Sequence, residues 1–225
     1  MKKVLIACFL ICLLNSGCAS IREAWVALTG EEEEYTAEEL AWVAMDYYES
    51  GDYSRAIEKF EKLKDWFPFS RYAILAELKI GDAHYKLEQY EEAIFAYEEF
   101  EKLHPRNEAI PYVIYQIGRC YYDRIDTIDR DQVPAREAME TFQRLIKGFP
   151  EDQYARLAKD HINKCYKSLA GHEYIIGVFY FKSKHYEAAY SRFMSVISNY
   201  PDVGYHQKAL DYISRCQKFL AKNES

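Results

Sequence analysis

Residues 81–105 read GDAHYKLEQYEEAIFAYEEFEKLHP, and this stretch contains one full copy of the pattern that decides the fold. Gly81 is followed after 12 residues by Ala93, after 4 more by the aromatic Tyr97 and after 8 more by Pro105. Two helices that cross closely need a small residue on each, and proline ends the second helix because it cannot continue the backbone hydrogen bonds. The stretch therefore predicts a hairpin of two antiparallel α-helices.

The same pattern occurs four times along the chain. The alanine-to-aromatic and aromatic-to-proline spacings are constant, while the spacing from small residue to alanine grows from 12 to 20 residues in the third copy. The copies are Ala44, Ala56, Phe60 and Pro68; Gly81, Ala93, Tyr97 and Pro105; Gly118, Ala138, Phe142 and Pro150; and Gly177, Ala189, Phe193 and Pro201. This is the tetratricopeptide signature, and it predicts an all-α superhelix of stacked helical pairs.

The helix bounds follow from the turn and cap residues between the copies. We expect about ten helices in five pairs, near 36–50, 52–67, 70–87, 90–104, 107–124, 134–149, 153–170, 172–183, 186–200 and 203–221. The extra residues of the third copy fall between about Asp123 and Val133, and insertions of this kind extend from one surface of the stack. Because two helices follow each other almost directly after Pro150, we expect an irregular junction near 150–172. It would divide the chain into an N-terminal repeat half, 35–150, and a C-terminal half, 151–225.

Three cysteines share one position of the repeat. Cys120, Cys165 and Cys216 each lie 15 residues after a repeat proline, and the residue 15 positions after Pro68 is Ala83. Equivalent positions in stacked helices lie roughly 8–10 Å apart, too far for a disulfide. We therefore predict three buried thiols in place of a small apolar residue.

The N-terminus has the features of a lipoprotein signal peptide. Lys2 and Lys3 precede an apolar run over 4–14 that is too short to span a membrane. Leu14-Asn15-Ser16-Gly17-Cys18 resembles a bacterial lipobox, although the pattern expects leucine where Asn15 stands. We predict a signal peptide over 1–17, lipidation of Cys18 and a tether over 18–34.

Two alternatives remain for this segment. Cys8 also follows a lipobox-like stretch but leaves almost no apolar region before it, and ordinary signal cleavage would leave Cys18 as a free thiol. The residue after Cys18 is Ala19, which by resemblance to sorted lipoproteins implies the periplasmic face of the outer membrane.

The net charge argues against two classes of partner. It is −7 for the chain and becomes −9 if Lys2 and Lys3 are removed with the signal peptide. An acidic protein is repelled by nucleic acid and by anionic headgroups, so we expect no nucleic-acid partner and membrane attachment through the lipid alone.

Motifs for catalysis, metals or cofactors are missing from the sequence. His172-Glu173 begins like a zinc-protease motif, but Ile176 stands where the second histidine is needed. His161 and Cys165, one helical turn apart, supply only two potential ligands. We predict a protein that is not an enzyme, with no cofactor and no metal site.

The first helix of each pair lines the concave face on which tetratricopeptide arrays bind peptides. Counting from the repeat phase, this face is aromatic with few charges, which suits an extended apolar peptide. Its candidate residues are Tyr48, Asp82, Tyr85, Tyr112, Tyr115, Arg119 and Tyr122. For Tyr48, Tyr85 and Tyr122 a place in the core between repeats is an equal alternative, and Tyr115 with Arg119 forms the preferred pair.

Several segments together resemble one family, the BamD lipoproteins of the β-barrel assembly machinery. They are Phe67-Pro68-Phe69-Ser70-Arg71-Tyr72, Leu103-His104-Pro105, Tyr112-Val113-x-Tyr115-x-x-Gly118, Asp129-Arg130-Asp131, Gly148-Phe149-Pro150 with Gln153-Tyr154, and Glu173-Tyr174. They span about 35–205 in order, with the insertion and the doubled helix in place.

The resemblance implies a scaffold at the outer membrane. It implies that the C-terminal repeats contact the barrel-forming subunit BamA, with Lys182, Lys184, His185 and Tyr186 as candidates, and that the N-terminal repeats receive C-terminal segments of nascent barrel proteins. Contacts with other lipoproteins of the machinery are a further expectation. The alternatives are a pilotin or cell-envelope coordinator built from the same repeats, and a periplasmic enzyme.

Overall fold

The structure is a computed structural model that describes residues 35–223. Within this range the chain forms nine helices and no strand, which confirms the predicted all-α class. The helices are α1 Ala37–Glu49, α2 Tyr53–Trp66, α3 Arg71–Lys86, α4 Tyr90–Leu103, α5 Ile110–Asp123, α6 Val133–Gly148, α7 Gln153–Lys182, α8 Tyr186–Asn199 and α9 His206–Asn223. In this range no helix is both long and apolar enough to cross a membrane. The predictions on the signal peptide, Cys18 and the tether concern residues outside the described range.

The four copies of the pattern form the predicted close contacts. Every repeat alanine and every repeat aromatic residue is fully buried. A Cβ atom placed on Gly81 would lie 2.7 Å from the Tyr97 ring, and one on Gly177 would lie 2.7 Å from the Phe193 ring. The small residue is therefore required because the aromatic ring of the second helix occupies the space of a side chain.

The described chain divides into two compact units, one ending at Phe100 and one starting at Glu101. In the first unit α2 packs between α1 and α3. In the second unit each helix from α5 to α9 packs on the next, and α5 also contacts α7. The division into functional halves at residue 150 stays a prediction.

The helix α7 corrects the expected number of helices. Two helices over 153–170 and 172–183 were expected, but α7 runs without interruption for 30 residues. The other joints between pairs each contain a proline, whereas this joint contains Gly171, which keeps its amide donor. Gly171 is buried, and a Cβ there would lie 2.8 Å from the Tyr205 hydroxyl. The two helices expected over 153–170 and 172–183 are thus one continuous helix, and we call its uninterrupted passage through Gly171 the fused joint.

The predicted insertion is confirmed as the loop between α5 and α6, and it is anchored to α7. Gln132 is 6% exposed, and its side-chain amide donates to the carbonyl of Arg130 at 3.0 Å. The Ser168 hydroxyl donates to the amide oxygen of Gln132 at 2.7 Å, and Nδ1 of His172 lies 2.6 Å from the carbonyl oxygen of Ile128. These contacts fix the insertion against the fused joint.

The three cysteines of the described chain are buried free thiols, as predicted. Burial raises the pKa of Cys120 and of Cys165 to about 12, so both remain protonated at neutral pH. Cys therefore serves here as a small packing residue.

Candidate functional site

Three candidate residues belong to a turn that recurs in the fold. Where the first helix of a pair turns into the second, two aromatic rings meet edge to face across a residue with left-handed backbone. The centroid distances are 5.4 Å for Tyr48–Tyr53 across Gly51, 5.8 Å for Tyr85–Tyr90 across Glu88 and 5.5 Å for Phe181–Tyr186 across Lys184. Tyr48, Tyr85 and Tyr186 are half-buried. They therefore support the turns while presenting one edge to solvent.

Asp82 lies beneath the surface of the first unit. It is 3% exposed, accepts a hydrogen bond from the Tyr97 hydroxyl at 2.8 Å, and pairs with Lys79 at 2.7 Å. The Lys79 ammonium also lies 4.8 Å from the centre of the Tyr48 ring. Burial, followed by the nearby Asp82 carboxylate, raises the pKa of Tyr48 to about 12. The expectation that Asp82 faces a bound peptide is corrected, because its carboxylate is used inside the repeat.

In the second unit, Tyr115 is part of the core. It is 7% exposed, and its hydroxyl lies 2.9 Å from Nε2 of His161 on α7. Its ring is 5.9 Å from the ring of Phe142 and 5.3 Å from that of Tyr154. The expectation that Tyr115 lines the groove is corrected, because α6 and α7 cover it.

The partly exposed candidates of the second unit lie around this buried ring. Tyr122 is half-buried, with its ring 4.5 Å from His161 and the Lys164 ammonium 4.2 Å above it. Tyr112 is half-buried against Tyr154 at 5.3 Å. These side chains offer aromatic edges to a ligand.

Two cationic side chains lie near these rings, Arg119 on α5 and Lys164 on α7. Arg119 pairs with Asp123 at 3.0 Å, one helical turn away. Lys164 is exposed one turn after His161. Burial is the main cause that lowers the pKa of His161, and Arg119 adds to the shift, so the neutral imidazole is favoured. We refer to Tyr112, Arg119, Tyr122 and Lys164 as the α5–α7 face.

The candidate interface for a barrel subunit lies at the turn between α7 and α8. Lys182, Lys184 and His185 are exposed, while Tyr186 stacks on Phe219 of α9 at 4.6 Å with ring planes 7° apart. Phe179, three residues before Lys182 on α7, is 65% exposed. We call the segment Lys182–Tyr186, together with Phe179 and Phe219, the tip. It combines two ammonium groups with exposed aromatic surface, a composition suited to a protein partner that offers carboxylates and apolar side chains.

Several contributors were not predicted from the sequence. Tyr53, Tyr90 and Phe219 complete the turns and the tip, and the five-residue spacing of Tyr48–Tyr53 and of Tyr85–Tyr90 was a readable signal. His161, a potential metal ligand by residue type, packs among the aromatic rings of α5 and α6. Among the described residues no group of three metal-ligating side chains comes together.

Comparison with known proteins identifies the family. Residues 33–225 match the family model YfiO, described as an outer membrane lipoprotein. The chain is 30% identical to the outer membrane protein assembly factor BamD of Neisseria gonorrhoeae, covering 84% of this chain and 75% of that protein. It is 28% identical to the BamD of Caulobacter vibrioides, covering 98% of this chain and 72% of the relative.

Solved structures with similar folds are more distant. MamA of Desulfovibrio magneticus RS-1 matches with a TM-score of 0.43 and 17% identity, over 87% of this chain and 92% of that one. Tetratricopeptide-like repeats of a kinesin light chain from Podosopora anserina match with a TM-score of 0.46 and 13% identity, over 86% and 99% of the two chains. The sequence matches confirm the resemblance drawn from the motifs, and the chain belongs to the YfiO family of outer membrane lipoproteins, together with the BamD assembly factors.

Proposed function

We propose that this chain is a scaffold of the β-barrel assembly machinery that assists the insertion and folding of outer-membrane barrel proteins without catalysing a reaction. The observation that carries the proposal is family membership over 33–225, with relatives named as outer membrane protein assembly factors. Depletion of the protein from its host should lower the amount of folded barrel proteins in the outer membrane. Unchanged barrel levels after depletion would contradict the proposal.

The attachment to the membrane is part of this proposal. Cleavage after residue 17 and lipidation of Cys18 would hold the repeats on the periplasmic face through a tether over 18–34. Mass spectrometry of the mature N-terminal peptide should find a diacylglyceryl group on Cys18, and the Cys18→Ala variant should lack it. An unmodified Cys18 thiol in the wild-type chain would contradict the anchor.

The tip is the proposed contact with a BamA-like barrel subunit. Its ammonium groups at Lys182 and Lys184 are exposed, and the rings of Tyr186 and Phe219 are already stacked, so little side-chain order has to be gained on binding. A preformed aromatic surface flanked by charge has the composition of binding hot spots.

A charge reversal tests the tip. The double variant Lys182→Glu/Lys184→Glu should bind the purified periplasmic domains of the barrel subunit at least tenfold more weakly. The matched control is Lys159→Glu/Lys167→Glu, which makes the same charge change at exposed positions of α7. Equal loss of affinity in both variants would mean that net charge, and not the tip, governs the contact.

The α5–α7 face is the proposed contact with the C-terminal segments of client proteins. Such segments end in alternating apolar residues, an aromatic residue and a carboxylate. The rings of Tyr112 and Tyr122 can contact the apolar and aromatic side chains, and the cations of Arg119 and Lys164 can pair with the carboxylate. Tyr115 is buried beneath this face and supports it through His161, whereas Asp82 belongs to the first unit and is used inside its own repeat.

Neutral substitutions of the two cations test this contact. Arg119→Gln/Lys164→Gln should weaken binding of a synthetic barrel C-terminal peptide about fivefold, since exposed charge pairs contribute up to about 1 kcal/mol. Lys159→Gln/Lys167→Gln is the matched control. An unchanged peptide affinity in the folded Arg119→Gln/Lys164→Gln variant would contradict the assignment.

A further inference from the structure

The joint between α2 and α3 exposes two large aromatic side chains. Phe69 is 102% exposed and Trp66 is 52% exposed, whereas Phe67 between them packs on the core of the first unit. The joint is an ordered turn, because the Ser70 amide donates to the carbonyl of Phe67 at 2.9 Å and the Ser70 side chain caps α3. We call residues 66–70 the first joint.

The fold does not require aromatic residues at these positions. The joint between α6 and α7 has the same backbone hydrogen bonds, with Phe149 and Asp152 in the places of Phe67 and Ser70. The residue that follows the repeat proline is nevertheless charged and exposed in the other three joints. These residues are Arg106, Glu151 and Asp202. Phe69 adds no packing to the fold. Together with Trp66 it leaves two large aromatic side chains exposed in one turn, which points to an external partner.

The first joint lies beside the start of α1. The Lys62 ammonium lies 4.0 Å from the centre of the Trp66 ring and 5.6 Å from that of Tyr35, the first described residue. Arg71 follows the joint directly. A hydrogen bond to the Tyr72 hydroxyl is the main cause that raises the pKa of its guanidinium, and the nearby Glu38 carboxylate adds to the shift. Trp66 therefore lies near Tyr35, where the chain arrives from the segment that contains Cys18.

We propose that the first joint inserts Trp66 and Phe69 into the headgroup region of the membrane that holds the lipid anchor. It would be a second, non-covalent membrane contact, beyond the attachment through the lipid alone that the net charge predicts. This inference rests on the proposed lipidation of Cys18, since residues 18–34 are long enough to let the first joint reach the bilayer that holds the anchor. Tryptophan and phenylalanine favour the boundary between headgroups and acyl chains, and Lys62 and Arg71 can extend toward phosphates. The carboxylates of Glu38 and Asp65 offset these cations, so the contact depends mainly on the aromatic rings.

The test uses the tryptophan of the joint as a depth probe. The full-length lipidated protein carries Trp25→Phe and Trp42→Phe, so that Trp66 is its sole tryptophan. It is incorporated into vesicles of phosphatidylethanolamine and phosphatidylglycerol. Part of the lipid has bromine near the start of the acyl chains. Trp66 emission should shift to the blue and lose intensity in proportion to the brominated lipid.

Two controls keep the result specific. The first adds Phe69→Asp, which copies the residue type of the joint before α9, and should reduce quenching while the circular dichroism spectrum stays unchanged. The second leaves only Trp42, which is 69% exposed in the middle of α1, and should show little quenching.

The outcomes separate the inference from the proposed function. The protein could float with the vesicles but show no more quenching at Trp66 than at Trp42. This result would overturn the inference and leave the anchor intact. A joint that binds another protein would give the same result. Wild-type protein that does not float with vesicles would overturn the anchor and the inference together. Strong quenching that persists with Phe69→Asp would also overturn the proposed insertion.

Discussion

The regular helical pairs and the fused joint within α7 are held together by different kinds of contact. In the α5–α6 pair the backbone of Gly118 lies directly against the buried ring of Phe142. At the fused joint, two polar contacts connect α7 to the insertion. The Ser168 hydroxyl donates to the buried side-chain amide of Gln132, and the His172 imidazole contacts the backbone carbonyl of Ile128. One region is held by the fit of apolar surfaces and the other by hydrogen bonds between buried or partly buried polar groups.

This difference explains why the insertion has a defined position. Apolar contacts are non-directional, and a nine-residue loop held by them alone could settle in several ways. Each buried polar group instead needs a particular partner, because leaving it without one costs about 1–3 kcal/mol. The polar contacts therefore select a single arrangement of the loop on the fused joint.

The largest effect is expected from removing a repeat ring. Phe142→Ala should lower the free energy of unfolding by about 3–5 kcal/mol, because it opens a cavity between α5, α6 and α7 that the rigid helices cannot close. Urea unfolding followed by circular dichroism measures this loss. Phe95→Ala, at a position of α4 that is 68% exposed, should change stability by no more than about 0.5 kcal/mol. Equal effects at the two positions would show that the repeat contact is unimportant.

A smaller effect is expected from adding one methyl group to the same contact. Gly118→Ala should cost about 1–3 kcal/mol, since the new Cβ overlaps the Phe142 ring and the helices must separate. Gly148→Ala is the matched control, because nothing lies within 4 Å of the added atom. There the substitution should gain up to about 1 kcal/mol from helix propensity. A stabilising Gly118→Ala would show that α5 and α6 pack less closely than described.

The polar contact at the fused joint should be weaker but strongly coupled. Ser168→Ala and Gln132→Ala should each cost about 1–2 kcal/mol, because each leaves a buried polar group without its partner. The double variant should cost less than the sum of the two, and a double-mutant cycle measures the difference. Strict additivity would mean that the two side chains do not depend on each other.

The smallest effect concerns the recurring turn between the helices of a pair. Gly51 has φ of 84° and open space around its Cβ position, so Gly51→Ala should cost about 1 kcal/mol from backbone strain alone. Glu88 occupies the same position at φ of 59°, and Glu88→Gly should therefore be neutral or stabilising by less than about 1 kcal/mol. Thermal unfolding of both variants tests the shared geometry, and a stabilising Gly51→Ala would contradict it.

The repeat contacts could be predicted because they depend on steric spacing along the chain. The small residue, the alanine and the aromatic residue recur at fixed intervals, and all reach the predicted buried positions. The fusion of α7 is not predicted, because two consecutive helical patterns indicate two helices although no proline separates them at Gly171. The contact of Gln132 with Ser168, 36 residues apart, leaves no periodic signal at all.

The candidate site was predicted less well, because helical phase gives the direction of a side chain but not what covers it. Tyr115 faces inward, as the helical phase indicates. However, α7 packs over it, and the Tyr115 hydroxyl contacts Nε2 of His161. Asp82 likewise faces inward but pairs with Tyr97 within its own repeat. The exposed positions Lys182 and Lys184 were identified by family resemblance, and their role stays a prediction.

The most direct test of the central claim is affinity purification of the tagged, full-length protein from detergent-solubilised envelopes, with partners identified by mass spectrometry. We expect a barrel-forming subunit with periplasmic repeat domains at near-equal stoichiometry, and its loss when the Lys182→Glu/Lys184→Glu variant is used as bait. Recovery of a secretin or a cell-wall enzyme, or no stoichiometric partner, would contradict the role in barrel assembly.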